Sequence, residues 1–400
     1  MKKRLVVFLV ILALLVSGLS VFTALGETRR STVTIDRSTY ERLQRYEKLD
    51  EIMQYISQYY YKDIDSDEMF EGAINGMLAS LGDPYTFYYN QEEWSDMWEE
   101  EEGEYTGIGI QLLGDYESQT VKITRVFRNT PAEAAGMRKN DILTRVEDME
   151  VTAETMTAAV KIMRGEVGGT VEVEVSRDGE PIVFNITRAA IHMNNIDYTM
   201  LDNNVGYLIL YQFSTDSLIS DFNAAMDALE AQGAKSIILD LRDNPGGWVD
   251  DAVSVANRFL DSKLVVYTKS RFTTDTNPQY TRSGADNIPL VVLVNENSAS
   301  SSEILTGALQ DYKRATVVGT QSFGKGIMQY VLGLSDNNTG IQLTYCEYFT
   351  PNGNAVHGIG ITPDIVVEMP ENMVYADLQL GDMSDPQLTA AWEEAVRLAQ

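Results

Sequence analysis

Strands and helices alternate along residues 190–370, and this alternation constrains the fold more than any other feature of the sequence. Apolar runs of strand length, among them VGYLILYQF, SIILDLR and PLVVLVN, are separated by helical patterns such as the spacing of Leu218, Phe222 and Met226. Because alternating strands and helices need crossover connections, the pattern predicts an α/β core. A chain of 400 residues has room for about two or three domains.

The charge balance and the cysteine count exclude several classes of site. The chain has 31 basic and 59 acidic residues, for a net charge of -28. Nucleic-acid binding needs a positive face for the phosphates, so no nucleic-acid partner is expected. The single cysteine, Cys346, excludes an intrachain disulfide and a zinc site built on several cysteines.

Residues 1–26 have the composition of a membrane-targeting segment. Basic residues at positions 2–4 precede an apolar run from Leu5 to Leu25. Such a run can cross a hydrocarbon core of about 30 Å as a helix, and the basic cluster should stay cytoplasmic. We predict a single-pass anchor in the cell membrane, with the body of the protein outside the cytoplasm. A cleaved signal peptide, which would release a secreted protein, is the competing interpretation because ALG at residues 24–26 suits a cleavage site.

An N-terminal helical region is predicted at residues 40–103, after a polar linker at residues 27–39. An apolar stripe that includes Tyr46, Met53 and Tyr60 recurs at helical spacing. Packing within its own domain and pairing with a second copy in a homodimer are both compatible with this stripe.

Short strands dominate residues 104–189, which resemble a PDZ domain of the permuted kind found in bacterial proteases. In such a domain the carboxylate-binding loop matches Gly107-Ile108-Gly109-Ile110. Glycines leave backbone N–H groups free to surround a terminal carboxylate, and an adjoining strand edge can add the peptide as a further strand. The resemblance therefore implies binding of peptides with free C-termini.

The helix in ETMTAAVKIMRG is expected to form one wall of the peptide groove. Met156, Val160 and Met163 share a face and offer an adaptable apolar surface. Arg164 follows at the helix end, where it could relay the bound state to the core through a charged contact. Complementing the helix dipole is the simpler role for that arginine.

A serine cluster in NENSASSSEIL lies where an apolar strand ends and a helical pattern begins. A nucleophile at such a junction would be exposed, and the helix N-terminus would offer free N–H groups to a developing oxyanion. A serine-rich capping loop has the same pattern. The cluster alone does not decide between these interpretations.

Lys325 is the candidate general base, because it stands between glycines in FGKG. A lysine activates serine only when its amine is neutral, which requires removal from water. Close packing around the flanking glycines would help to bury it. Gln329, four residues on, could hold the amine through its amide oxygen without adding charge. His192 and His357 are the alternative bases, and an ordinary surface lysine is the alternative for Lys325.

The sequence LDLRDNPGG supplies a candidate oxyanion hole. Its turn follows a strand and exposes backbone N–H groups, and each donor is worth about 3 kcal/mol in the barrier. Gly246 or Gly247 would provide one N–H group, and the residue after the nucleophile would provide the other.

Together these segments resemble the C-terminal processing peptidases, or tail-specific proteases, over nearly the whole chain after residue 26. The resemblance rests on LDLRDNPGG, SASSSEILTGALQDYKRATVVGTQSFGKGIMQ and GIGITPDI. It implies a serine–lysine endopeptidase with a ClpP/crotonase-like core, an inserted PDZ domain, and no cofactor or metal. The family pattern places the nucleophile at Ser300, the base at Lys325 and an assisting glutamine at Gln329. Ser301 stands where alanine is usual and adds a competing hydroxyl.

Two rival interpretations remain open at this point. A membrane-tethered PDZ scaffold with an inactive protease core would keep the fold without catalysis, and a Ser–His esterase would use His357. If Ser300 is the nucleophile, the N–H group of Ser301 is the second oxyanion donor. Residues 371–400 are expected to form a C-terminal helical segment.

Overall fold

The computed structural model describes residues 34–102, 104–115, 118–192, 195–213, 217–336, 338–370, 373, 375 and 378–400. The chain divides into two compact units, one ending at Phe70 and the other beginning at Glu71. The predicted membrane segment lies outside the described residues. Of the helices within these ranges, none combines the length and the apolar character needed to span a bilayer.

Three helices and a short strand form the predicted N-terminal helical region. They are α1 (Arg37–Tyr59), α2 (Ser66–Ala79), β1 (Phe87–Tyr89) and α3 (Gln91–Glu102). Helix α1 begins inside the segment predicted as a linker, because the Asp36 side chain caps it by accepting a hydrogen bond from Thr39 N.

The PDZ domain is a small antiparallel sheet with two helices. Its elements are β2 (Glu104–Gly107), β3 (Ile110–Asp115), β4 (Thr120–Val126), α4 (Pro131–Ala135), β5 (Ile142–Val146), β6 (Met149–Glu150), α5 (Met156–Met163), β7 (Thr170–Arg177), β8 (Glu180–Thr187) and β9 (Ala189–His192). The strand order is β3-β4-β5-β7-β8, with β6 paired to β5. Strands β2 and β9 pair with each other, so the chain enters and leaves this insertion at one place.

The peptidase core contains two sheets. Its elements are β10 (Ile196–Leu201), β11 (Val205–Leu210), α6 (Leu218–Ala231), β12 (Ser236–Asp240), α7 (Val249–Ala256), β13 (Leu264–Lys269), β14 (Gln279–Tyr280), β15 (Leu290–Val294), α8 (Ser301–Asp311), β16 (Ala315–Gly319), β17 (Ile327–Gly333), β18 (Gly340–Phe349), β19 (Ile365–Val366) and α9 (Pro386–Leu398). The larger sheet has the order β10-β11-β12-β15-β16-β19 and is parallel from β11 onward.

This topology assembles the site. Strands β12 and β15 are parallel neighbours, so the loops that follow them lie at the same edge of the sheet. These are the DNPGG loop and the serine loop. The second sheet carries β17, which begins two residues after Lys325 and pairs with β18. The predicted α/β fold with an inserted PDZ domain and an N-terminal helical segment is confirmed.

Candidate active site

Ser300 differs from the other serines of its cluster in both exposure and backbone conformation. Its side chain is partly exposed at the N-cap of α8. Its backbone has φ 54° and ψ −116°, a conformation that residues other than glycine seldom adopt. Such strain costs about 1–3 kcal/mol and concentrates at active sites. This geometry favours Ser300 as the nucleophile.

The other three serines are structural tethers. Ser298, Ser301 and Ser302 are each 0% exposed. Their hydroxyls donate to the carbonyl oxygens of Leu241 (2.7 Å), Gly247 (2.8 Å) and Asn244 (3.0 Å), respectively. They therefore fasten the start of α8 to the DNPGG loop, and the Ser301 hydroxyl is already engaged in this structure.

The DNPGG loop packs directly against Ser300. A Cβ atom on Gly246 would lie 2.7 Å from Ser300 Cβ, and one on Gly247 would lie 1.9 Å from Phe213 O. Both positions also have positive φ, at 104° and 133°. Each position therefore requires glycine for two reasons: a side chain would clash there, and the backbone conformation disfavours other residues.

The two predicted oxyanion donors of this loop are not equivalent. Gly246 N donates to the Asn244 side-chain oxygen at 2.9 Å, so this N–H group is already engaged. The buried Asn244 is itself held in place, because its Nδ2 donates to Leu210 O at 2.8 Å. Of the two glycines, Gly247 is the better candidate for a donor that a substrate oxygen can use.

Lys325 is partly buried, and burial lowers the pKa of its amine. The carboxylates of Asp83 and Glu303 oppose this effect because they favour the charged amine. The flanking glycines pack closely, as the sequence predicts: a Cβ atom on Gly326 would lie 2.1 Å from His357 N. Burial therefore shifts the pKa of this amine in the direction that a general base requires.

A buried carboxylate joins the nucleophile segment to the base segment. Glu303 is 1% exposed, and its Oε2 accepts hydrogen bonds from Ser300 N and Lys325 N, both at 2.9 Å. Its Oε1 accepts from Ser322 Oγ at 2.6 Å and from Gly324 N at 2.7 Å. Burial raises the pKa of this carboxyl, and the four donors oppose that rise.

Tyr348 makes a second connection between the two segments. Its side chain is buried, and its hydroxyl lies 3.1 Å from Ser300 O and 2.6 Å from Lys325 O. The backbones on either side of the catalytic cleft are thus held in one hydrogen-bonded unit.

Gln329, His357 and His192 are the other residues that the sequence placed on the base side. Gln329 is partly buried on β17, and its Nε2 donates to Thr344 Oγ1 at 3.2 Å; the contact predicted between its amide oxygen and Lys325 stays a prediction. His357 is exposed beside Gly326. His192 ends β9, and its side chain lies outside the described part of the structure.

A cavity of about 1340 Å³ is lined by residues of both the PDZ domain and the core, but not by Ser300, Gly246 or Gly247. Its lining includes Lys325 and Ala299, the residue before the predicted nucleophile. All the predicted peptide-binding residues also line it: Gly107, Ile108, Gly109, Ile110, Met156, Val160, Met163 and Arg164. Met163 contributes little surface, because it is 4% exposed and packs in the PDZ core.

Known proteins match this architecture segment by segment. Residues 204–367 match peptidase family S41, residues 106–187 match the PDZ domain, and residues 18–93 match the N-terminal domain of the activating protease CtpB. A carboxy-terminal-processing protease from Bartonella bacilliformis is 37% identical over 361 residues, covering 88% of this chain and 81% of that protein. The chain belongs to peptidase family S41.

Further relatives agree with this assignment. A probable CtpA-like serine protease from Staphylococcus haemolyticus is 33% identical over 90% of this chain and 72% of its own length. The solved structure of the photosystem II D1 C-terminal processing protease is 27% identical, with a TM-score of 0.53 and coverage of 88% of this chain and 92% of that one. The S41 peptidase described here is therefore of the serine type, which confirms the predicted family and enzyme class.

Sequence reasoning missed two kinds of residue in this S41 peptidase. Glu303 had a signal, because Ser300-x-x-Glu303 is a capping-box pattern at the start of a helix. No such signal pointed to Asp83, Tyr85 or Tyr348. Their contacts with the segments that contain Ser300 and Lys325 depend on where β18 lies in the fold.

Proposed function

We propose that this S41 peptidase is an endopeptidase that cleaves extracytoplasmic proteins at or near their C-termini, with Ser300 as nucleophile and Lys325 as general base. The observation that carries the assignment is the contrast within the serine cluster. Three hydroxyls are buried in tethers, whereas Ser300 is strained and partly exposed. Glu303 and Tyr348 join its backbone to that of a lysine whose amine pKa is lowered.

The proposed reaction proceeds through an acyl-enzyme. Neutral Lys325 takes the proton of Ser300 as its Oγ attacks the scissile carbonyl carbon, and the tetrahedral oxyanion accepts hydrogen bonds from the N–H groups of Gly247 and Ser301. The lysine then returns the proton to the leaving amine as the C–N bond breaks. Water, deprotonated by the same amine, hydrolyses the ester and regenerates Ser300.

Substrate selection is proposed to begin in the PDZ groove. The loop Gly107–Ile110 binds the terminal carboxylate through backbone N–H groups, and Met156 and Val160 contact the apolar side chains of the tail. The shared cavity supports this order of events, because a tail held there leaves the preceding chain within reach of Lys325. Arg164 lines the same cavity and is the proposed link between tail binding and activity.

Three variants test the dyad. Ser300→Ala, Lys325→Ala and Lys325→Arg should each lose hydrolysis of a fluorogenic peptide with a free C-terminus, while keeping the wild-type circular dichroism spectrum. The arginine variant is informative because a guanidinium does not deprotonate near neutral pH.

His357→Ala should remain active. Retained hydrolysis in Lys325→Ala, together with loss in His357→Ala, would instead identify a Ser–His enzyme. An inactive wild-type protein that still binds peptide tails would identify a scaffold.

The location of the enzyme is also a proposal. The apolar run Leu5–Leu25 is proposed to hold the chain in the membrane with the catalytic domain outside the cytoplasm. The N-terminal sequence of the mature protein, isolated from the membrane fraction, distinguishes a retained anchor from a cleaved signal. Recovery of the intact chain in the cytosol would contradict the proposal.

Homodimer formation through α1 is a further part of the proposal. The predicted stripe on this helix exposes large side chains, including Tyr46 at 57% and Leu49 at 49%. Pairing with a second copy would cover this face. Sedimentation of the protein and of a Leu49→Asp variant tests this, and a monomeric wild-type protein at micromolar concentration would contradict it.

A further inference from the structure

The amine of Lys325 is covered by a turn that lies 240 positions earlier in the sequence. Residues 83–86 connect the end of α2 with β1. Lys325 Nζ lies 4.9 Å from the centre of the Tyr85 ring, above its face. Both residues line the catalytic cavity, and Tyr85 is partly buried there.

Hydrogen bonds fasten this turn to β18. The Asp83 carboxylate accepts from Tyr85 N at 2.9 Å and from Thr86 Oγ1 at 2.7 Å, which closes the turn. Thr344 N donates to Thr86 Oγ1 at 3.0 Å, and Gln342 Nε2 donates to Tyr85 O at 3.1 Å. The position of the Tyr85 ring therefore follows from the strand that also pairs with β17 on the base side of the site.

Opposing influences act on the Lys325 amine. Burial favours the neutral form and is the larger effect, so the pKa is lowered. Among the described residues, Asp83 from the turn and Glu303 from α8 are the charged groups that act on the amine, and both favour its charged form. Burial raises the pKa of Asp83, but hydrogen bonds from Thr344, Thr86 and Tyr85 N outweigh it, so the pKa is lowered. The charge interaction with His357 lowers it further.

An aromatic ring beside an amine has two effects of opposite sign. Its face attracts a cation, whereas its apolar surface keeps water from the amine and favours the neutral form. Tyr85 is partly buried in a cavity wall and forms part of the cover over Lys325. Since burial has the larger influence on this lysine, we take exclusion of water as the dominant effect of the ring.

We propose that Tyr85 and Asp83 are positioning residues for the general base: the ring excludes water from the Lys325 amine, the carboxylate favours its charged form, and their balance determines the pH at which the enzyme becomes active. The inference rests on the role of Lys325 given under Proposed function. It adds the turn between α2 and β1 to the machinery that tunes the base.

The test is the pH dependence of kcat/KM for Tyr85→Ala, Tyr85→Phe and Asp83→Asn. Tyr85→Ala admits water to the amine, so the rising limb should move to higher pH. Asp83→Asn removes a negative charge and should move the same limb to lower pH. Each unit of displacement changes kcat/KM by about tenfold at a fixed pH below the limb. Tyr85→Phe keeps the aromatic ring, so its kcat/KM should rise at the same pH as that of the wild type.

Opposite displacements distinguish tuning of the base from a structural role, which would lower activity without moving the limb. A Tyr85→Ala enzyme with a raised KM and an unmoved limb would overturn the inference, because the ring would then only contact substrate. A limb that moves to lower pH would overturn it as well. Tyr85→Leu provides the same measurement if the alanine variant does not fold. Full activity in Lys325→Ala would reject the proposed dyad itself, a separate outcome.

Discussion

At the scale of single residues, Lys325 lies in a site that disfavours the charged form of its amine. Burial lowers the pKa of its amine below the ordinary value of 10.5. A pKa that is lower in the folded state means that the unfolded chain binds more protons between that pKa and 10.5. The free energy of unfolding is therefore reduced by the full amount at pH values below the lowered pKa. This reduction disappears as the pH rises toward 10.5.

Lys325→Met should consequently be inactive but more stable than the wild type at neutral pH. Methionine fills a similar space and has no charge to desolvate. The gain in the free energy of unfolding should shrink as the pH rises toward the ordinary lysine value of 10.5. Urea denaturation at several pH values measures this difference. A wild-type protein that is the more stable of the two at neutral pH would contradict the desolvation argument.

Glu303→Gln should damage catalysis as well as stability. The carboxylate accepts four hydrogen bonds, whereas a glutamine side chain has one acceptor oxygen and turns an NH₂ group toward two of the donors. Each unpaired donor costs about 1–3 kcal/mol. Displacement of Ser300 and Lys325 should lower kcat by about 10- to 100-fold.

Glu296→Gln is the matched control for this variant. Glu296 is exposed on the loop that precedes α8, and it accepts a hydrogen bond from Thr320 Oγ1 at 3.0 Å. Its substitution should leave both the unfolding midpoint and kcat close to those of the wild type. A Glu303→Gln enzyme with normal kcat and a lowered midpoint would mean that the carboxylate only stabilises the fold.

At the scale of elements, the start of α8 is held by side chains rather than by the backbone alone. The hydroxyls of Ser298, Ser301 and Ser302 fasten it to the loop after β12. This explains why a serine-rich stretch contains one reactive candidate: the helix N-terminus needs the remaining hydroxyls for its attachment.

Ser301→Ala is therefore predicted to keep most activity, unlike Ser300→Ala. The substitution removes the bond to Gly247 O and should lower the free energy of unfolding by about 1–3 kcal/mol. It leaves the backbone N–H of residue 301 in place as an oxyanion donor. Active-site labelling with a serine-reactive phosphonate, followed by mass spectrometry, identifies the nucleophile. Labelling of Ser301 instead of Ser300 would refute the assignment.

At the scale of the whole molecule, the PDZ domain is bound to the core by charged contacts. Arg128 Nε lies 2.9 Å from Asp197 Oδ1, and Arg125 lies 3.7 Å from Asp197 Oδ2. The Arg125 guanidinium also lies 3.6 Å from the centre of the Tyr211 ring, and Tyr211 donates its hydroxyl to Asp197. These contacts join the PDZ domain to β10 and β11 of the core, beside the cavity that both line.

Substrate cleavage should therefore depend on a free C-terminus. A peptide with an amidated tail should be cleaved more slowly than the same peptide with a carboxylate. Val160→Asp puts a negative charge in the groove and should abolish this difference. Val167→Asp is the matched control, because Val167 is 64% exposed. Equal rates for both peptides in the wild type would show that the enzyme does not select substrates by their tails.

The sequence by itself determined the order of the domains and the identity of the candidate catalytic residues. Strand and helix periodicity depends on local spacing, so it predicted the α/β core, whereas the PDZ insertion and the choice of Ser300 and Lys325 followed from the resemblance to the C-terminal processing peptidases. Only the tertiary structure decided which serine side chain is exposed and which of the two glycine N–H groups is already hydrogen-bonded. These outcomes depend on contacts between loops that follow neighbouring parallel strands, and spacing along one chain does not encode them.

The same reason applies to the residues around the base. Tyr348 reaches Ser300 and Lys325 because β18 pairs with β17, and Tyr85 reaches Lys325 because β1 pairs with β18. The C-terminal helix α9 is similar: it follows Asp385, which pairs with the fully buried Arg242 just before the DNPGG loop. A buried charge is tolerated only with a partner, and Arg242 has one nearby partner, Asp240, and one that lies far away in the sequence, Asp385. Pairing of distant strands, rather than local propensity, completes the site.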